Sequence, residues 1–316
     1  MSRLRMVLCV AAGTLLLAAQ AFPQNESQQG QGRVVVTVLP KHAGDAPVTI
    51  SQQDLKLAVS GRTSNVTGWE ALRGPEDSLE LVVLIDNSAG TSLGKQLDDI
   101  QHFIEGLPPN AKSVIAYMEY GRAALAGRLS ADHAEVLRGL HVPGGVSGSS
   151  GGTYICLSEL AKHWPSRDAK ARREVVIVSD GINVLSTGFD PSDPYVQAAI
   201  SDAVRAGLVV YSIFWGNRVA TDRPSIATTA GQNLLNQVSE ATGGNSYRMG
   251  NGNPVSFQPY FKDLTRRLQN QYRLSFAAGL KNEPEIASVK LKIKVPGTEI
   301  DSPTQVFVER AGPAMN

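Results

Sequence analysis

Between Leu79 and Leu268 short apolar runs alternate with stretches of helical period, and few folds accommodate that rhythm. Leu79–Ile85, Ser113–Met118, Glu174–Val178 and Leu208–Phe214 are nearly continuous apolar strands. A strand apolar on both faces is one buried on both faces. Between them, Leu93, Leu97, Ile100, Phe103, Ile104 and Leu107 recur at helical spacing until Pro108-Pro109 stop them. Ala131–Leu140, Tyr154–Trp164, Tyr195–Ala206, Leu234–Ala241 and Phe257–Leu268 read as further helices, and Ser246–Met249 as a last short strand. Strands alternating with helices imply an α/β fold: a doubly wound, mostly parallel, Rossmann-like sheet flanked by helices.

The flanks differ. Arg33–Leu39, Pro47–Ile50 and Leu55–Val59 before this block, and Tyr272–Phe276, Val289–Val295 and Val306–Val308 after it, read as short strands. We expect small β segments at both ends, 33–78 and 271–316, too small to stand alone and so pairing with one another or packing on the α/β block. Residues 22–32, rich in Gln, Asn, Ser and Gly, read as a flexible leader. Before it, Arg3 and Arg5, the apolar run Met6–Leu17 and Ala19-Gln20-Ala21 form a signal-peptide pattern with cleavage after Ala21. The expected location is secreted or periplasmic, with no membrane span after cleavage. Cleavage takes Cys9 with it, leaving Cys156 without a disulfide partner. A formal net charge of +1 argues against a nucleic-acid binder.

The strand ends carry the chemistry. The first apolar run ends in Asp86-Asn87-Ser88-Ala89-Gly90, the third in Ser179-Asp180-Gly181, and Ser150-Gly151-Gly152-Thr153 opens a helix. In a parallel sheet the two strand ends share one rim, where open α/β folds place ligands. Oxygen donors without Cys or His suit Mg²⁺ or a similar hard cation, Mn²⁺ or Ca²⁺.

This set resembles the metal-ion-dependent adhesion site of von Willebrand factor type A (VWFA) domains. That motif is D-x-S-x-S with a distant threonine and a distant aspartate. Asp86 and Ser88 match its first two positions, Thr153 the threonine and Asp180 the aspartate; Gly90 stands where the second serine belongs. The resemblance covers roughly residues 79–270. Gln53-Asp54-Leu55 and Gln271–Phe276 are similar to the flanks of a secreted VWFA-related family first described in acidobacteria. It implies a metal site of Asp86, Ser88, Thr153 and Asp180 with an open coordination position, completed by a protein partner presenting an Asp or Glu.

Two other classes compete. One is an envelope-associated scaffold with a dead metal site, using its β flanks for assembly. The other is a serine hydrolase: Gly148-Ser149-Ser150-Gly151-Gly152 fits G-x-S-x-G, although the segment before it is poor strand material. Gly90–Lys95 falls one residue short of a phosphate loop, with Gln96 where Ser or Thr is required. The histidines form no H-E-x-x-H. No nucleophile, general base and oxyanion hole come together, so no enzymatic activity is expected.

Overall fold

The computed structural model describes residues 28–42, 45, 48–74, 77–146, 150–182, 190–216, 226–250, 252–280 and 283–311. The signal-peptide pattern, most of the leader, Pro47 and Gly148-Ser149 lie outside them. In chain order the first strands are β1 (Gln28–Pro40), β2 (Leu55–Val59), β3 (Arg62–Ala71) and β4 (Leu79–Asp86). Helix α1 (Leu97–Glu105), strands β5 (Lys112–Glu119) and β6 (Arg122–Leu125), and helices α2 (His133–Leu137) and α3 (Thr153–Lys162) follow. Next come β7 (Arg172–Ser179), α4 (Pro194–Ala206), β8 (Leu208–Phe214), α5 (Ile226–Thr242), β9 (Ser246–Tyr247) and α6 (Gln258–Leu268). The chain closes with β10 (Gln271–Leu280), β11 (Glu285–Ile293), β12 (Thr298–Asp301) and β13 (Gln305–Arg310).

Six of these strands form a mixed sheet in the order β6-β5-β4-β7-β8-β9. β4 pairs in parallel with β5 and β7, and β8 with β7 and β9, while β6 folds back antiparallel on β5. Every residue of β4 is buried. Alternate side chains feed two cores, as the period of a strand requires. Leu81, Val83 and Ile85 pack with Ile100 and Phe103 of α1 and Phe261 and Leu264 of α6. Val82 and Leu84 pack with Leu157 of α3, Ile200 of α4 and Leu235 of α5. Asp99, buried on α1, accepts from Ser256 Oγ and Phe257 N at 2.7 Å each and so fixes the start of α6.

The other seven strands overturn the expected fold class. The chain is not a doubly wound parallel sheet with small β segments at its ends. The two flanks build one larger antiparallel sheet, ordered β10-β3-β2-β11-β13-β1-β12, and β1 also pairs with β10. That extra pairing closes six strands into a barrel, with β12 added along the end of β1. The physical reason is edge satisfaction. A two- or three-stranded flank exposes unpaired N–H and C=O groups, and closure removes those edges. Val36, Leu57, Leu274, Phe276, Val306 and Val308 fill the interior. A Cβ at Gly32 would run into the Phe276 ring, so glycine is required where β1 crosses that side chain.

Boundaries shift accordingly. Gln28–Gly32, assigned above to the leader, are the first part of β1, opposite Leu280–Phe276. β3 and β12 have no counterpart in the sequence reading. The barrel docks on the end of the mixed sheet where β7 begins. There Arg172 pairs with Asp77 at 2.6 Å and donates to Leu268 O at 2.8 Å and to Gln271 Oε1.

Candidate functional site

Asp86 is the last residue of β4, and the chain turns at once into the short 3-10 helix Asn87–Ala89. Its carboxylate caps that turn. Oδ1 accepts from Ser88 N at 2.9 Å and Ser88 Oγ at 2.5 Å. Oδ2 accepts from Ser179 Oγ at 2.9 Å. Since the Ser179 proton is given to Asp86, the 2.7 Å contact between Thr153 Oγ1 and Ser179 Oγ has Thr153 as donor. A buried relay therefore runs Thr153, Ser179, Asp86, with Ser88 on the other carboxylate oxygen. Ser179 also accepts from Gly181 N at 3.1 Å, so it holds the turn that carries Asp180.

The structure thus links Asp86, Ser88 and Thr153 through Ser179, which the sequence reading passed over. Its signal was present: a small hydroxyl ending an apolar strand, one residue before the rim aspartate. Asp180 joins by charge rather than by hydrogen bond. Its Oδ1 accepts from Ile182 N at 2.9 Å. Burial, and then the negative charge of Asp86, push its carboxyl up to about 7. Gly231 of α5 lies so close that a Cβ there would strike Asp180 O, which seats this loop against the helix.

The surrounding loops are built to bring these groups together. Thr153 opens α3, and Gly152 before it has φ +105°, a conformation glycine alone adopts readily. Asn87 Oδ1 accepts from Gly144 N and Gly145 N at 3.1 and 3.2 Å, pinning the 141–146 loop beside the site. Tyr154, packed under the rim, donates to Gly181 O at 2.8 Å. Cys156 is buried, and burial, followed by the charges of Asp86 and Glu159, pushes its thiol up to about 12, so it stays protonated and inert.

Gly90 departs from the motif for a reason of its own. Its backbone stands at φ +66°, ψ −173°, a region essentially restricted to glycine. Ser92 does not substitute for the missing serine. Its hydroxyl donates to Ala89 O at 3.2 Å and accepts from Trp215 Nε1 at 3.3 Å. The hydrolase motif lies partly outside the described residues. Residues 141–146 carry no strand, and Ser150 Oγ accepts from Gly152 N at 3.4 Å. Gly90–Lys95 contributes to a 3-10 helix, Thr91–Gln96.

The donor set fits a hard divalent cation in kind: two neighbouring carboxylates, one raising the other, with hydroxyls of Ser88, Thr153 and Ser179 around them. Among the described residues no three His, Cys, Asp or Glu side chains gather into a metal-binding group, so any cation here would rely on hydroxyls and water. Outside this polar pit lie exposed apolar side chains. Tyr120 follows β5, Val142 and Val146 sit on the loop held by Asn87, and Val255 is tied to Gln96 through its carbonyl.

No protein-family model matches the chain, and no curated protein matches it. Solved structures do. One is an aerotolerance-related membrane protein from Bacteroides fragilis, 15% identical over 60% of this chain and 98% of that one, with a TM-score of 0.42. A second is the conserved hypothetical protein BatB from Bacteroides thetaiotaomicron, 14% identical over 60% and 97%, TM-score 0.41. A third is a von Willebrand factor type A protein from Catenulispora acidiphila, 12% identical over 89% and 74%, TM-score 0.41. The neighbours thus include von Willebrand factor type A domain proteins, the family the rim motif resembles. At such identities and scores nothing of their function is carried over to this chain.

Proposed function

We propose that this chain is a VWFA-type binding module that engages a protein partner at the rim through a divalent cation. Asp86, Ser88, Thr153 and Asp180 would hold the ion, with Ser179 fixing Asp86 and Thr153 from beneath. Mg²⁺ is the first choice, and Mn²⁺ or Ca²⁺ would suit the same donors. The ion would supply an electrophilic position for an Asp or Glu of the partner, while Tyr120, Val142, Val146 and Val255 offer apolar contact around it. The observation that carries this reading is the pair of rim carboxylates. Burial and the charge of Asp86 hold Asp180 near neutrality, and a cation would relieve both. The N-terminal pattern adds an exported, secreted or periplasmic, location to the proposal.

One observation favours a second reading. Both oxygens of Asp86 are already satisfied by Ser88 and Ser179, and a carboxylate so bonded needs no metal. On that reading the rim is a dead site, and the protein is an envelope scaffold working through its barrel. A thermal melt in EDTA, repeated with Mg²⁺, Mn²⁺ and Ca²⁺, separates the two. A cation at 100 times its dissociation constant stabilises the fold by about 2.7 kcal/mol. An unchanged melting temperature at millimolar metal supports the dead site. Pull-downs with and without EDTA, with Asp180→Ala alongside, test the partner: capture that survives both does not run through the rim.

A further inference from the structure

At the opposite end of the mixed sheet from the rim, about 26 Å back along β7, the barrel and the α/β unit enclose a cleft of about 490 Å³. Its walls are β1, β10 and β13 of the barrel, the C-terminal end of α4, and the chain entering β7. Four arginines line it: Arg33, Arg173, Arg205 and Arg273. A fifth, Arg172, also reaches the cleft but is 3% exposed and paired with Asp77. Among the described residues Glu309 is the one acidic residue in the lining. In a chain of formal net charge +1 this is a strong local excess, where a surface made only for solubility would intersperse both signs.

These arginines come from four separate elements, β1, β7, α4 and β10, and most of their hydrogen-bonding capacity is unspent. Each guanidinium has five N–H donors. Arg33 gives one to Ala169 O at 2.7 Å. Arg273 gives one to Lys170 O at 2.7 Å and meets the exposed Glu70 at 3.2 Å. Arg173 makes three long contacts, each 3.4 Å, to Ala206, Ser166 and Asp168 carbonyls. Arg205 has no hydrogen-bond or ion-pair partner among the described residues. The carbonyl contacts hold the forks in place without neutralising them, and the exposed Glu70 offsets Arg273 alone, so like charges repel one another across the cleft. A multiply charged anion removes that repulsion, and planar guanidinium forks match phosphate oxygens in bidentate geometry. The volume lies within the range of small-molecule sites, roughly 300–1,000 Å³.

We propose that this cleft is a second binding site, independent of the rim, for a small phosphorylated anion carrying two or more negative charges. Such a group can come from a soluble phosphorylated molecule or from a phospholipid headgroup, and the test addresses both. Pyrophosphate and inorganic phosphate are titrated calorimetrically into the full chain, in metal-free buffer at about 0.15 M salt. Binding to vesicles of phosphatidic acid in phosphatidylcholine is measured against phosphatidylcholine alone. The expected result is binding of pyrophosphate, tighter than that of phosphate, with affinity reduced roughly tenfold in Arg205→Gln. Arg33→Gln with Arg205→Gln should reduce it further. Arg205 has no other partner among the described residues, so Arg205→Gln should keep the wild-type melting temperature, which separates loss of ligand from loss of fold. Recruitment to phosphatidic acid vesicles alone, abolished by Arg205→Gln, supports the same site with a lipid source. No binding in either arm overturns the proposal. So does binding undiminished in the double variant, or binding lost in Asp180→Ala instead.

Discussion

Replacing Glu174 with glutamine should make the protein more stable at pH 8 and leave it nearly unchanged at pH 4.5. Glu174 lies on β7 with no exposed surface, and neither carboxyl oxygen has a hydrogen-bond partner among the described residues. The nearest cation, Arg172, stands two residues earlier on the same face, but its guanidinium is already bound to Asp77, Leu268 O and Gln271. Burial therefore dominates. It pushes the carboxyl from the ordinary 4.5 up to about 8, against the opposing charge of Arg172, with Asp77 adding to the rise. In the unfolded chain Glu174 loses its proton near 4.5; in the folded chain it keeps it to about 8. Between those values the unfolded state binds fewer protons, so Glu174 makes stability fall as pH rises through that window. A carboxyl displaced from 4.5 to about 8 corresponds to a loss of about 5 kcal/mol across the window. Glutamine has the same shape and no proton to lose. Urea unfolding of wild type and Glu174→Gln at intervals from pH 4.5 to 8.5 should give a stability difference that grows steadily with pH. Taking the difference removes other titrating groups, Asp180 included. A difference that is flat with pH would refute the reasoning, because it would mean that Glu174 is equally charged in both states.

Three further outcomes are expected. Asp77→Ala leaves the Arg172 guanidinium buried without its partner and should cost about 3–5 kcal/mol in chemical unfolding; a loss below 1 kcal/mol would mean that Gln271 and Leu268 O suffice. Gly90→Ser restores the serine of the motif but forces a side chain onto φ +66°, ψ −173°, so it should destabilise by about 1–3 kcal/mol and not tighten Mg²⁺; a tighter site in an equally stable protein would contradict this. Asp180 holds a proton below about 7, and a cation must displace it, so Mg²⁺ affinity measured by calorimetry should be about tenfold weaker at pH 6 than at pH 8. Equal affinity at both would place Asp180 outside the coordination sphere.

The α/β rhythm and the position of the rim residues could be read from the chain because both are local. Eight consecutive buried residues in β4 require a strand covered on both faces, and Asp86 ends it whatever the rest of the molecule does. Thr153 begins a helix because Gly151-Gly152 precede an apolar-periodic stretch. That Ser179 joins Thr153 to Asp86 was not legible, since it depends on the facing of three side chains brought from three elements. The barrel was still less so. β1 pairs with β10, more than 200 residues away, and no local pattern specifies that register. β3 went unread because Arg62–Ala71 is largely polar and its outer face is solvated. Gly90 looked like a lost ligand, and only its backbone angles show a position reserved for glycine. Glu174 looked like one polar residue at the start of a strand. Its burial without a hydrogen-bond partner among the described residues, like the gathering of four arginines in one cleft, follows from where the barrel docks. Pattern and propensity act over a few residues and set the elements. Closure of sheet edges, desolvation and charge proximity act across the fold, so only the assembled structure decides them.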